Sequence, residues 1–104
     1  MNTSSIFGFD WDDGNRAKCQ KHGVSLAEIE RVFGSECRIA PDAAHSHAET
    51  RFLAIGAGSG SRPIFVAFTL RTIGQKTYIR PISARYMHRK EIERYEQAPP
   101  APDH

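Results

Sequence analysis

Apolar and polar positions along this chain first alternate, then space out to a helical period, then alternate again, and each change marks an element. Ile6, Phe7, Phe9 and Trp11 interleave with Gly8 and Asp10 as a short first strand. Asp12 or Asp13 then caps a helix through about Lys21, which His22-Gly23 ends because glycine supplies a left-handed turn. Ser25-Leu26-Ala27-Glu28 is a capping box: the serine oxygen and the glutamate carboxylate each take an N–H that a helix start leaves unpaired. Leu26, Ile29, Val32 and Phe33 fall on one helical face, so this second helix buries a stripe against a sheet, and Gly34 closes it.

From Cys37 the period becomes two. A strand is predicted near 37–40, a polar loop from Pro41 to His47, and strands at about 50–56, 62–71 and 76–85. Gly56 to Ser61 and Ile73-Gly74-Gln75 are the turns between these strands, so three of them form an antiparallel meander. Ile64, Val66, Phe68 and Leu70 share one face, while Phe65 and Ala67 give the opposite face enough apolar content to predict cover on both sides. Pro81 has no N–H for a ladder, which predicts an edge or a bulge at that point. Met87, Ile92 and Tyr95 line one side of a last helix. The order β-α-α-β-β-β-β-α is an α+β layout, an antiparallel sheet packed by an N-terminal helix pair and a C-terminal helix.

Composition adds scale and polarity to this outline. The chain has 104 residues, 39% hydrophobic and 25% charged, which is material for one core. A single domain over 1–97 is expected, with Ala98-Pro99-Pro100-Ala101-Pro102-Asp103-His104 as a mobile tail. The formal net charge is only +2, yet residues 62–94 hold eight Lys/Arg against two Glu, while residues 1–61 hold six against eight acids. A basic half on a small domain favours a polyanionic partner, nucleic acid or an acidic protein. Two cysteines without a CxxC spacing indicate neither a disulfide framework nor a zinc finger. With no basic n-region before a long apolar stretch and no run of roughly 18 apolar residues, an unexported cytoplasmic protein without a membrane partner is expected.

Chemistry-bearing residues concentrate in Arg80-Pro81-Ile82-Ser83-Ala84-Arg85-Tyr86-Met87-His88-Arg89-Lys90-Glu91, where a strand runs into a helix, and Lys21-His22-Gly23 forms a second cluster upstream. Such a concentration of cations suits a surface that meets phosphate. His45, His47 and Cys37 lack a recognised ligand spacing with Asp42 and Glu49, so solvent exposure rather than a metal site is expected of the loop histidines. Gly56 to Gly60 is not a phosphate loop, since no Lys-Ser or Lys-Thr follows and no helix begins there. The helix pair at 13–33 makes a poor DNA reader, because its second helix sets Glu28 and Glu30 against Arg31 alone.

Phe9-Asp10-Trp11-Asp12, Lys21-His22-Gly23-Val24-Ser25, Val32-Phe33, Glu49-Thr50-Arg51, Ala54-Ile55-Gly56, Phe68-Thr69-Leu70-Arg71, Ile82-Ser83-Ala84-Arg85, Arg89-Lys90-Glu91 and Tyr95 occur in an order and at spacings that resemble the BrnT family of toxins from bacterial type II toxin–antitoxin systems, within the wider RelE-like group of small ribonucleases. The resemblance implies a RelE-like fold and an RNA-cleaving inhibitor of translation. It also implies a BrnA-like antitoxin carrying a ribbon-helix-helix domain, whose dimer would bring the complex to higher order.

Metal-free RNA cleavage needs a base for the 2′-hydroxyl, cations for the crowded phosphorus centre and an acid for the departing 5′-oxygen. Within that frame His22 is a base or an acid, Glu91 the competing base if an arginine orients it, and no cofactor is needed. Arg71 and Arg85 present planar forks to phosphate oxygens and Lys21 adds a point charge. Tyr86 and Trp11 are candidates to stack on unpaired bases, with Arg80 and Arg89 supplying general attraction for RNA. Plainer roles stand beside these. His22 can simply favour the negative end of a helix, Arg85 can pair with Glu91 or Glu49, Trp11 can belong to the core, and Ser83 can be a buried hydroxyl bonded to backbone. A non-catalytic partner-binding module with the same fold is the alternative to a ribonuclease.

Overall fold

Gly8–Phe9 (β1) pairs with only two residues of a later strand, and this economy decides where the first helix goes. The computed structural model describes residues 5–58, 60 and 62–97, with side chains described through Arg94. The expected tail at 98–104, Ser59 and Ser61 of the glycine-rich turn, and the Tyr95 side chain lie outside the described residues. The remaining elements are α1 (Asp13–Cys19), α2 (Leu26–Gly34), β2 (Arg38–Pro41), a 3-10 turn at Ala43–His45, β3 (Phe52–Ala57), β4 (Pro63–Ile73), β5 (Lys76–Tyr86) and α3 (Arg89–Gln97). No helix among the described residues is long and apolar enough to cross a membrane.

The five strands lie in the order β1-β5-β4-β3-β2. β2 through β5 are antiparallel neighbours, as the alternation predicts, but β1 runs parallel to β5, with Gly8 opposite Tyr78 and Phe9 opposite Ile79. The sheet is therefore mixed. Gly74 and Gln75 close the β4–β5 hairpin with both residues at positive φ, 58° and 70°, the handedness that matches strand twist. A register shift falls where Ala67 faces Ser83 and Phe68 faces Pro81, which leaves Ile82 unpaired. The proline thus sits at a bulge, the position its missing N–H requires.

Since β1 stops at Phe9, the rest of β5 lacks a strand on that side, and α1 packs there instead. Asp12 and Asn15 form the capping box of α1, and the amide of buried Asn15 donates to the carbonyls of Asp10 (3.0 Å) and Pro81 (2.9 Å). One side chain thereby starts the helix and ties it to β5. The predicted Ser25–Glu28 box caps α2, which packs on β3 and β4. Ile29, Val32 and Phe33 of α2 meet Ala54, Ile64, Val66, Phe68, Ile79 and Ala84 of the sheet. Phe33 stands edge-on to Phe68 at 5.0 Å. The opposite face carries Leu53, Ile55, Phe65 and Ala67, all only half-buried. The cover predicted for both faces is complete on one and partial on the other.

Candidate active site: an open trough beside the first helix

The partly covered face holds a trough of about 250 Å³ lined by His22, Leu53, Phe65, Ala67, Ser83, Ala84 and Arg85. Its floor follows from register: Leu53 of β3 faces Ala67 of β4, which faces Ser83 of β5, while Phe65 faces Arg85. His22 forms a wall because of the turn that ends α1. Gly23 adopts φ 89° and its N–H returns to the Gln20 carbonyl at 3.1 Å, so the chain reverses and Val24 drops into the core. The exposed imidazole one residue before that reversal stays at the rim.

Arg85 is the most constrained cation of the trough. Its guanidinium carbon lies 4.6 Å from the centroid of the Phe65 ring, and its two terminal nitrogens donate to Glu91 at 2.8 and 2.9 Å. Nη1 also donates to the Tyr86 carbonyl at 3.3 Å. Glu91 in turn accepts the His88 N–H at 2.8 Å, where α3 begins. Arg85 beside it, then the His88 N–H, hold the Glu91 carboxyl down to about 2, and the same pairing raises the Arg85 guanidinium. A carboxylate this acidic is a weak proton acceptor near neutrality, and both of its oxygens face the Arg85 guanidinium.

The other sequence candidates scatter. Lys21 is exposed next to His22. Arg71 faces Tyr78, six positions beyond Phe65 along β4 and so roughly 20 Å from the Arg85 end. Arg80 binds Asp12 at 2.7 Å and Asp10 at 3.3 Å, bracing β5 against the start of α1, and the Asn15 N–H, then Arg80, hold the Asp12 carboxyl low. Tyr86 faces Ile64, on the helix-covered side, and its hydroxyl meets both Glu28 oxygens at 2.8 and 2.9 Å, which raises the phenol. Trp11 donates from Nε1 to Glu30 of α2 at 2.8 Å and stacks on Phe9. Arg89 is exposed on α3, 3.9 Å from Glu93. Ser83 is half-buried and open to the trough, where a fully buried hydroxyl was the simpler expectation.

The structure therefore brings His22, Ser83 and Arg85 together, with Glu91 behind Arg85, and leaves Trp11, Arg71, Arg80 and Tyr86 away from the trough. Leu53 of the floor carried no sequence signal beyond its place in an alternating run; Phe65 and Ala67 carried one, their apolar character on the less covered face. Residues 11–91 match the family model for the ribonuclease toxin, BrnT, of type II toxin–antitoxin systems. No curated protein matches the chain.

Proposed function

This chain belongs to the BrnT family of ribonuclease toxins of type II toxin–antitoxin systems, and from that premise we propose that it is a metal-independent endoribonuclease that inhibits translation by cutting RNA at the His22–Arg85 trough. The observation that carries the reading is that these two residues, distant in sequence, line one open hollow of about 250 Å³.

His22 takes the proton of a 2′-hydroxyl; the 2′-oxygen bonds to phosphorus; the bond from phosphorus to the 5′-oxygen breaks, and that oxygen leaves with a proton from water at the open mouth. Arg85 faces the non-bridging oxygens with the Nε–H and the one Nη2–H that neither Glu91 nor the Tyr86 carbonyl occupies, and the Phe65 ring beneath it fixes the plane. Lys21 adds positive charge at the rim. The five apolar and small neighbours of the floor limit the water that screens these charges. A ribbon-helix-helix antitoxin of the BrnA kind, offering an acidic or amphipathic segment to the basic face, neutralises the enzyme in the cytoplasm, and its dimer makes the complex higher-order.

Purified protein is expected to shorten RNA in EDTA. Arg85→Ala should lower the rate by roughly 10²–10³-fold, the loss of on the order of 2 to 4 kcal/mol that removal of one such donor brings, with the far-UV spectrum unchanged. Cleavage that disappears with chelator would refute metal independence. A non-catalytic binding module is the second reading, favoured by the occupation of the Arg85 fork by Glu91. It predicts tight binding of a neighbouring small protein and no growth arrest on expression alone.

A further inference from the structure

Arg51 differs from the arginines that the sequence singled out on β5. Arg80 and Arg85 are each paired with carboxylates, whereas the guanidinium of half-buried Arg51 has no hydrogen-bond or ion-pair partner among the described residues. An arginine held in place and left unpaired is poised for an anion from outside.

Its position continues the trough. The Asp42 N–H donates to the Arg51 carbonyl at 2.8 Å, one pair beyond Pro41 and Phe52, so the β2–β3 ladder extends to Arg51. Arg51 therefore shares a face with Leu53 of the trough floor, roughly 7 Å away along an extended chain. Beyond Ala67 on the same face, Thr69 is buried and its hydroxyl donates to the Thr50 carbonyl at 2.8 Å, tying the end of the 42–51 loop to the sheet. Around Arg51 that loop forms a second hollow of about 290 Å³ with His45, His47, Ala48 and Glu49. The loop is braced from within: Ser46 Oγ donates to the Asp42 carbonyl at 2.8 Å and accepts the Arg51 N–H at 2.9 Å, and the Asp42 carboxylate holds His45 Nδ1 at 2.9 Å.

We infer that this hollow is a second nucleotide subsite, in which Arg51 binds a backbone phosphate one or two residues from the scissile bond and the loop receives the attached base of single-stranded RNA. Glu49 accepts from an exocyclic amino group and the imidazoles of His45 and His47 offer ring faces and edges to the base, so the loop sets base preference as well as affinity. The inference rests on the trough being an RNA site and extends it past the scissile bond.

The test uses fluorescence anisotropy with 2′-O-methyl oligonucleotides, which bind but cannot be cut, as a dinucleotide and a hexanucleotide over a salt series. The native chain should bind the hexanucleotide more tightly. Arg51→Ala should leave dinucleotide binding unchanged, lose roughly tenfold on the hexanucleotide, and flatten the slope of log affinity against log salt by about 0.7, the value of one single-strand phosphate contact. Arg51→Lys should keep the slope; Arg51→Gln stands in if the alanine variant melts early. Equal affinity and slope for native and variant protein on the hexanucleotide, or no gain with length in the native protein, would overturn the subsite. Failure of the native protein to bind either oligonucleotide would instead remove the RNA reading beneath it.

Discussion

Glu91 shows how one side chain changes the role of another. Its carboxylate spans both Arg85 nitrogens and the N–H of His88 just before α3, so a single residue joins the trough to the last helix. Because its folded value lies at about 2, below the ordinary 4.5, the unfolded chain binds more protons between those limits. The stability contributed by Glu91 is therefore complete above about pH 4.5 and is lost as pH falls toward 2. Carboxyl titration by NMR should give a Glu91 midpoint near 2 in the native protein, rising toward the ordinary glutamate range in Arg85→Ala. A native midpoint near 4.5 would show that the pair does not form in solution. The sequence offered two acids for Arg85, Glu91 and Glu49, and the structure pairs it with Glu91. Arg80 and Tyr86 carry the opposite lesson, because the acids that engage them, Asp10, Asp12 and Glu28, come from elements far away in the chain.

Among the elements, α1 has the most weight relative to its length. Seven residues give little intrinsic helix stability, so α1 depends on its Asp12–Asn15 box and on Asn15 reaching Pro81. Asn15→Ala should cost on the order of 3 kcal/mol, since one buried and one part-buried carbonyl lose their donor along with half of the capping box, whereas Ser25→Ala at exposed Ser25 should cost about 1 kcal/mol. Urea denaturation of the two variants checks the contrast; equal losses would mean that the tie between Asn15 and β5 carries no weight. Both caps, the hairpin turn and the Pro81 bulge were legible in sequence because each depends on residues close in the chain. The parallel pairing of β1 was not. Two residues set no register of their own, and the pairing with β5 rests on contacts between distant segments: the Phe7 and Asp10 N–H groups donate to the Thr77 and Ile79 carbonyls, and Phe9 packs against Phe33 of α2.

At the scale of the whole molecule, the sheet divides the work: one face is sealed by α2, and the other is left half-open between the end of α1, the start of α3 and the 42–51 loop. Alternation along β4 made both faces visible in sequence, with Ile64, Val66 and Phe68 against Phe65 and Ala67, and the capped helix explains which became the core. The meeting of His22 with Arg85 was an expectation drawn from resemblance and residue chemistry, since periodicity is blind to how close distant segments come. The basic surplus of residues 62–94 was a coarser guide, because internal acids take up Arg80 and Arg85 while Arg71, without an ion-pair partner among the described residues, stands far along β4. What most directly tests the trough as a ribonuclease centre is mass spectrometry of the ends produced from a short RNA in EDTA by native and His22→Ala protein. Attack by the 2′-hydroxyl predicts 2′,3′-cyclic phosphate and 5′-hydroxyl ends, with the rate down roughly 10²–10⁴-fold in the variant. Ends bearing a 3′-hydroxyl and a 5′-phosphate, or a His22→Ala rate equal to the native one, would contradict it.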